Sequence, residues 1–161
     1  SSCTPELAAT KGKRLMNLAE PDETDKIQVG IMKELTGGDT IMCRPLYGPP
    51  IEFKPQFKLL LCCNKLPEVT ATDFGTWRRI EVVKFESSFV DDPDPNNPLE
   101  FKRNNDIQKN LNTWVESFMS LIIEIYKEYK INGLSPPDSI TEHTNAYKLM
   151  NNFYRFMNFR R

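Results

Sequence analysis

The run Phe57–Cys63 (FKLLLCC) constrains this chain most. It is apolar except at Lys58, ends on Asn64, and is cut off by Pro67. It is too short for a helix of ordinary length, and it lacks the polar alternation of a half-exposed strand. It therefore reads as a strand, the most strand-like run in the chain. Two weaker runs share this character, Arg14–Glu20 (RLMNLAE) and Arg79–Phe85 (RIEVVKF). Three short apolar strands, the first two separated by a helical stretch, point to part of a parallel α/β sheet.

The intervening segments give the order of elements. Pro5–Thr10 reads as a short helix with Thr4 as N-cap and Pro5 in the first turn. In Thr24–Leu35, Ile27, Ile31 and Leu35 recur at helical spacing, and Gly37-Gly38 ends the pattern. Asp39–Phe53 reads as a β-hairpin, because Thr40–Cys43 and Ile51–Phe53 flank a turn rich in Gly48, Pro49 and Pro50. A strand, helix, hairpin, strand order departs from a plain doubly wound sheet. Past the third strand run, the Pro/Asn-rich acidic stretch containing DDPDPNNP reads as a linker or surface loop. Beyond it, Ile107, Leu111, Trp114, Val115, Phe118, Leu121, Ile122, Ile125 and Tyr129 follow the i, i+3, i+4 pattern of an amphipathic helix closed by Gly133. Ser139–Phe159 reads as a second helix. The chain thus divides into 1–85, a linker at 86–104, and a helical region at 105–161.

Composition narrows the class. With 161 residues, 39% hydrophobic and 27% charged, the chain is long enough for one globular core and an appended piece. The net charge of −1 excludes a protein that coats duplex DNA electrostatically, so any nucleic-acid contact rests on a few placed cations. No apolar run reaches the roughly 20 residues of a membrane span, and Ser1–Pro5 carries no basic and apolar leader pattern. The four cysteines form no CxxC pair and His143 is the only histidine, so reduced, buried thiols in an intracellular setting are expected rather than a zinc site.

Ligands of open parallel sheets sit outside the carboxyl ends of the strands. Glu20 ends the first strand run, with Asp22 and Glu23 just beyond; Asn64 ends the second; Arg78 and Arg79 open the third. Carboxylates that polarise water or hold Mg2+, an amide that orients the water, and an arginine that neutralises transition-state charge are the parts of a phosphoryl-transfer site. Taken singly, each residue has an ordinary explanation as a solvated strand end, a turn former or a surface cation. Their order along the chain is what points to chemistry.

In that order, RLMNLAEPDE, IMKELTGGDTIMCRPLYGPPIEFKPQFKLLLCCNKLP and GTWRRIEVVKF resemble the superfamily 3 helicase core of poxvirus-type primase-helicases from large nucleocytoplasmic DNA viruses. The resemblance is strong over Pro5–Phe85, and the K-x-L-T-G-G-D-x-I-x-x-R run is close to diagnostic. It is weaker over Ser139–Phe156. It implies a partial AAA+-like parallel sheet with an inserted β-hairpin, followed by C-terminal α-helices. It also implies roles for residues. Glu20 matches the Walker B glutamate. Asp22 falls at a second acidic position, although Leu18-Ala19 stand where many ATPases place an aspartate beside the glutamate. Asn64 matches the sensor asparagine, and Arg79, before Arg78, the arginine finger. Lys33 and Gly37-Gly38-Asp39 match the motif before a DNA-contacting hairpin that carries Arg44, with Lys54 and Lys58 beyond its turn. The implied cofactors are ATP and Mg2+. The implied partners are single-stranded DNA, further copies in a homo-hexamer, and a primase domain or replication proteins. The implied place is a viral factory in the host cytoplasm, or the nucleus.

The hairpin also has support from composition. Between Asp39 and Lys58 three basic residues (Arg44, Lys54, Lys58) stand against two acidic ones, and Tyr47 lies near the tip. A basic loop with an aromatic suits backbone tracking with stacking on a base. A phosphate-cradling G-x-x-x-x-G-K-[S/T] is missing, because Gly12-Lys13 is preceded by Leu7 at the first glycine position and followed by Arg14. The expectation is therefore a fragment of an ATP-dependent replicative helicase core that does not hydrolyse ATP by itself. The competing expectation is a non-catalytic DNA-binding or oligomerisation module derived from such a core.

Overall fold

The computed structural model describes residues 4–19, 21–22 and 26–158, with side chains of the last helix described through Asn152. The fold is mixed α/β. It has short parallel ladders, one antiparallel hairpin and C-terminal helices. Residues 1–81 and 144–161 form one compact unit and residues 82–143 a second.

In the first unit, helix α1 (Pro5–Ala8) precedes strand β1 (Leu15–Leu18). Thr4 does not cap α1 through its side chain; its hydroxyl accepts instead from the Arg44 amide at 3.1 Å, and its own amide donates to the Arg44 carbonyl at 2.9 Å. Strand β2 (Lys26–Ile27) leads into helix α2 (Val29–Thr36), which is shorter than Thr24–Leu35 at its start because Lys26 and Ile27 are extended. Gly38, at φ +83, turns the chain out of α2, a conformation that favours glycine. The hairpin follows as β3 (Ile41–Cys43) and β4 (Ile51–Phe53), antiparallel with Met42 opposite Glu52. Ile41 and Cys43 point into the core and Met42 points out, the period of two expected of a half-buried ladder.

The Phe57–Cys63 run forms β5 (Lys58–Leu61), which pairs with β1 in parallel, Met16 opposite Leu59 and Leu18 opposite Leu61. Strand β6 (Glu68–Val69) pairs in parallel with β2, and Lys26 bridges Glu68 at 2.8 Å beside it. Helix α3 (Phe74–Trp77) follows. The expected third strand, Arg79–Phe85, does not form. The amides of Arg79 and Ile80 are used by the turn that continues α3, donating to Thr76 and Trp77 at 3.1 and 3.2 Å. The rest of the run meets no pairing strand among the described residues, and a strand without a neighbour has no ladder to satisfy its backbone.

The second unit begins in the acidic stretch. Within 86–104 the strands β7 (Ser88–Val90) and β8 (Glu100–Lys102) pair in parallel, with the rings of Phe89 and Phe101 5.8 Å apart. The loop between them is ordered by its own polar side chains. Asp94 accepts from the amide of Asn96 at 2.9 Å, and Glu100 accepts from the amide of Asp94 and the side chain of Asn97 at 2.9 and 3.0 Å. Helix α4 (Ile107–Asn110), a 3-10 turn (Leu111–Trp114) and helix α5 (Val115–Asn132) realise the amphipathic pattern, and Gly133 closes it at φ +73. The described residues do not cover the apolar face of α5: Phe118, Leu121 and Ile125 are all more than half exposed. No helix of the described residues is long and apolar enough to cross a membrane.

Helix α6 (Asp138–Asn158) begins in the second unit, and its later residues pack in the first. Tyr147 stacks edge-on against Trp77 with centroids 5.4 Å apart, and its hydroxyl donates to the Pro67 carbonyl. Burial, reinforced by the neighbouring Cys63 thiol, pushes that hydroxyl up to about 12. One turn on, Asn151 donates to the Val69 carbonyl at 2.7 Å and accepts from its amide at 2.9 Å. A side-chain amide thus pairs with β6 as a further strand would. Ile41, Cys43, Phe57, Val69, Trp77 and Tyr147 are the core.

Candidate functional site

β1 and β5 run in the same direction, so their carboxyl ends open on one edge. There the chain forms a recess of about 120 Å³ lined by Pro21, Asp22, Cys63, Asn64, Lys65, Leu66 and Pro67. The segment after β1 supplies Asp22, and the segment after β5 supplies Asn64. Two residues expected to share a site, 42 positions apart, are therefore brought together at a strand edge where ligands of parallel sheets bind. The recess is small against the roughly 300–1,000 Å³ of ligand pockets.

The expected donor set was Glu20, Asn64, Arg78 and Arg79, with Asp22 for the metal. Glu20 lies outside the described residues. Asp22 and Asn64 line the recess, and neither arginine does. No group of three or more histidine, cysteine, aspartate or glutamate side chains that could cage a metal occurs among the described residues. One carboxylate with an amide fits a hydrated Mg2+ that takes its remaining ligands from phosphate and water.

Tyr147 and Asn151 hydrogen-bond Pro67 and Val69, three and five residues after Asn64; of these four residues Pro67 lines the recess. Near β1, the Cys62 thiol donates to Asn17 Oδ1 at 3.9 Å.

The two arginines differ. Arg78 is exposed, whereas Arg79 is half-buried and folds back so that its Nη1 donates to the Gly75 carbonyl. Its Nε is buried without a partner among the described residues. Both follow α3, whose N-cap is Asp73. The Asp73 carboxylate accepts from the Thr76 amide at 3.0 Å and from the Thr76 hydroxyl at 2.8 Å. Lys33 Nζ donates to both carboxylate oxygens, at 3.0 and 3.1 Å. The Lys33 and Thr76 bonds hold the Asp73 carboxyl down from the usual 3.8 to about 2. Because the folded value lies below the ordinary one, the contribution of these bonds is complete above 3.8 and is lost as pH falls through about 2. A titration followed by NMR at the Asp73 carboxyl carbon should find its midpoint near 2; a midpoint near 4 would mean that the Lys33 contact does not form in solution.

On the hairpin, Arg44, Lys54 and Tyr47 are exposed. Tyr47, 98% exposed, sits at the tip with φ 58, strained for a residue with a side chain. Arg44 Nε donates to the Gly48 carbonyl at 3.2 Å across the turn. Lys58 is not on the hairpin; it opens β5, paired with Leu15. Lys33, expected to face DNA, has its ammonium on Asp73.

Sequence reasoning missed Asp73 and Asn151. Asp73-x-x-Thr76 is a capping spacing and could have been read. Asn151 lies one helical turn from Tyr147, and no pattern marks an amide that will pair with a strand.

Residues 5–79 match a protein family described as "Family of unknown function (DUF5906)". The chain is 40% identical over 156 residues to "Putative helicase L207/L206" of Acanthamoeba polyphaga mimivirus, covering 92% of this chain and 16% of that protein. It is 31% identical over 164 residues to "Putative helicase 022R" of Frog virus 3, covering 96% of this chain and 17% of that protein. It is also 26% identical over 92 residues to "Putative primase C962R" of African swine fever virus, covering 57% of this chain and 10% of that protein. The chain therefore spans under a fifth of the length of each of these relatives.

Proposed function

Because this chain is homologous over most of its length to proteins of large DNA viruses that carry helicase and primase names, we propose that it forms the hydrolysis-side and DNA-facing part of an ATP-dependent replicative DNA helicase. The observation that carries this reading is the recess at the carboxyl edge of β1 and β5, which joins Asp22 to Asn64. In this reading the site holds the terminal phosphate end of ATP with its Mg2+, and ATP supplies the phosphoryl group. Asn64 orients the attacking water, and Glu20 takes its proton. Asp22 accepts from water in the Mg2+ shell. Arg79, with Arg78 as second candidate, neutralises charge on the phosphate of a neighbouring copy in a homo-hexamer. The fact that neither arginine lines the recess suits action in trans.

Arg44 and Lys54 track the backbone of single-stranded DNA, and Tyr47 offers a ring to a base. Lys58, at the start of β5, adds a further exposed cation for the DNA backbone. The sequence holds no G-x-x-x-x-G-K-[S/T], so in this reading the phosphate cradle comes from outside these residues. A primase domain or other replication proteins complete the assembly.

A crossed pair of substitutions in a helicase-length chain tests this. Asn64→Ala should lower kcat for ATP by about 10²–10³-fold, the cost of one lost polar group at a transition state, and leave the Kd for single-stranded DNA unchanged. Lys54→Ala should weaken single-stranded DNA and flatten its salt dependence by about one unit of slope, with turnover at saturating DNA retained. If Asn64→Ala hydrolyses ATP at the wild-type rate, the recess is not the reaction site.

A further inference from the structure

Helix α2 ends at Thr36, and the four residues 37–40 lead from it into β3, so α2 is the element that enters the hairpin. Lys33 lies in the last turn of α2. Its ammonium reaches across 40 residues of sequence to both oxygens of Asp73. An N-cap needs one oxygen and one amide. Asp73 takes four bonds, two of them from Lys33. An exposed ion pair of this kind adds little to stability, so fold stability alone does not account for it.

A Cβ added at Gly75 would lie 2.9 Å from Asp73 Oδ1 and 3.8 Å from Arg79 Nη1, so both side chains lie close to the same glycine. Arg79 Nη1 also donates to the Gly75 carbonyl. The Lys33–Asp73 pair thus joins α2 to the start of α3, and, two residues on, the Gly75 carbonyl holds Arg79.

We propose that Lys33 and Asp73 are positioning residues, an ionic clasp through which the α2–hairpin segment sets the pose of Arg79. DNA held by the hairpin moves α2, and the clasp carries that displacement to the arginine that serves the neighbouring nucleotide. This inference rests on the helicase reading above and assigns Lys33 to coupling rather than to DNA contact.

The test uses a helicase-length chain, with ATP turnover and single-stranded DNA binding measured on the same preparations. Asp73→Asn keeps a capping oxygen and removes the charge. It should lower DNA-stimulated kcat about ten- to hundredfold, the cost of a misplaced group about an ångström out of register, with KM for ATP and Kd for DNA unchanged. Lys33→Met should lower kcat by the same factor, the double variant no further, and Lys33→Arg should restore most of it. Gly75→Ala, which displaces the Asp73 carboxylate without touching its charge, should reproduce the loss. If Lys33→Met weakens DNA binding while Asp73→Asn does not, or if the two losses multiply, the clasp is refuted. A wild-type chain whose ATP turnover does not respond to DNA overturns the helicase reading itself, and the clasp with it.

Discussion

Arg79→Ala in a helicase-length chain is expected to leave nucleotide binding intact and to lower kcat for ATP by about 10³-fold or more, the usual worth of an arginine that meets a transferring phosphoryl group. The resting pose of the side chain suits this task. Its Nη1 holds the Gly75 carbonyl, while its Nε is buried without a partner among the described residues. A buried unsatisfied donor costs about 1–3 kcal/mol, so releasing the guanidinium toward a neighbour's phosphate gives up one hydrogen bond and relieves one orphaned donor. Arg78, already exposed, is the control. Steady-state turnover alongside binding of a fluorescent nucleotide separates the outcomes. Loss of nucleotide binding would remove the finger role from Arg79. A silent Arg79→Ala with an inactive Arg78→Ala would move that role one residue.

Asn151→Ala should destabilise the first unit strongly. Val69 is fully buried, and Asn151 is the partner of both its amide and its carbonyl. Truncation strands both groups, at about 1–3 kcal/mol each. In a unit of this size that corresponds to a fall in Tm of about 8 °C or more. Thermal unfolding by circular dichroism decides the matter. A Tm for Asn151→Ala equal to that of wild type would mean that water takes over both groups and that α6 does not clamp β6.

Much of the first unit was legible in the sequence because it is written in local signals. The apolar run Phe57–Cys63 gave β5, Gly37-Gly38 gave the end of α2, and Gly48-Pro49-Pro50 between two short apolar stretches gave the hairpin. The helical spacing from Ile107 to Tyr129 gave α4 and α5. What failed turned on short-range hydrogen bonds that composition does not reveal. Arg79–Phe85 has the composition of a strand, yet its first amides are taken by the turn after α3. The stretch 86–104 has the composition of a linker, yet its Asp and Asn side chains bond their own backbone closely enough to hold a short ladder.

The sequence by itself determined which residues could do chemistry, because their types and order follow from covalent structure. It set Glu20 and Asn64 at the ends of strand runs, a basic hairpin between them, and an arginine pair after Trp77. Only the tertiary structure decided which of them meet. Parallel pairing of β1 with β5 puts Asp22 beside Asn64, and folding of α2 against α3 takes Lys33 from an expected DNA contact to Asp73. The physical reason is reach. A side chain spans a few ångströms, and contacts across 40 or 80 residues exist only once the backbone has closed those loops.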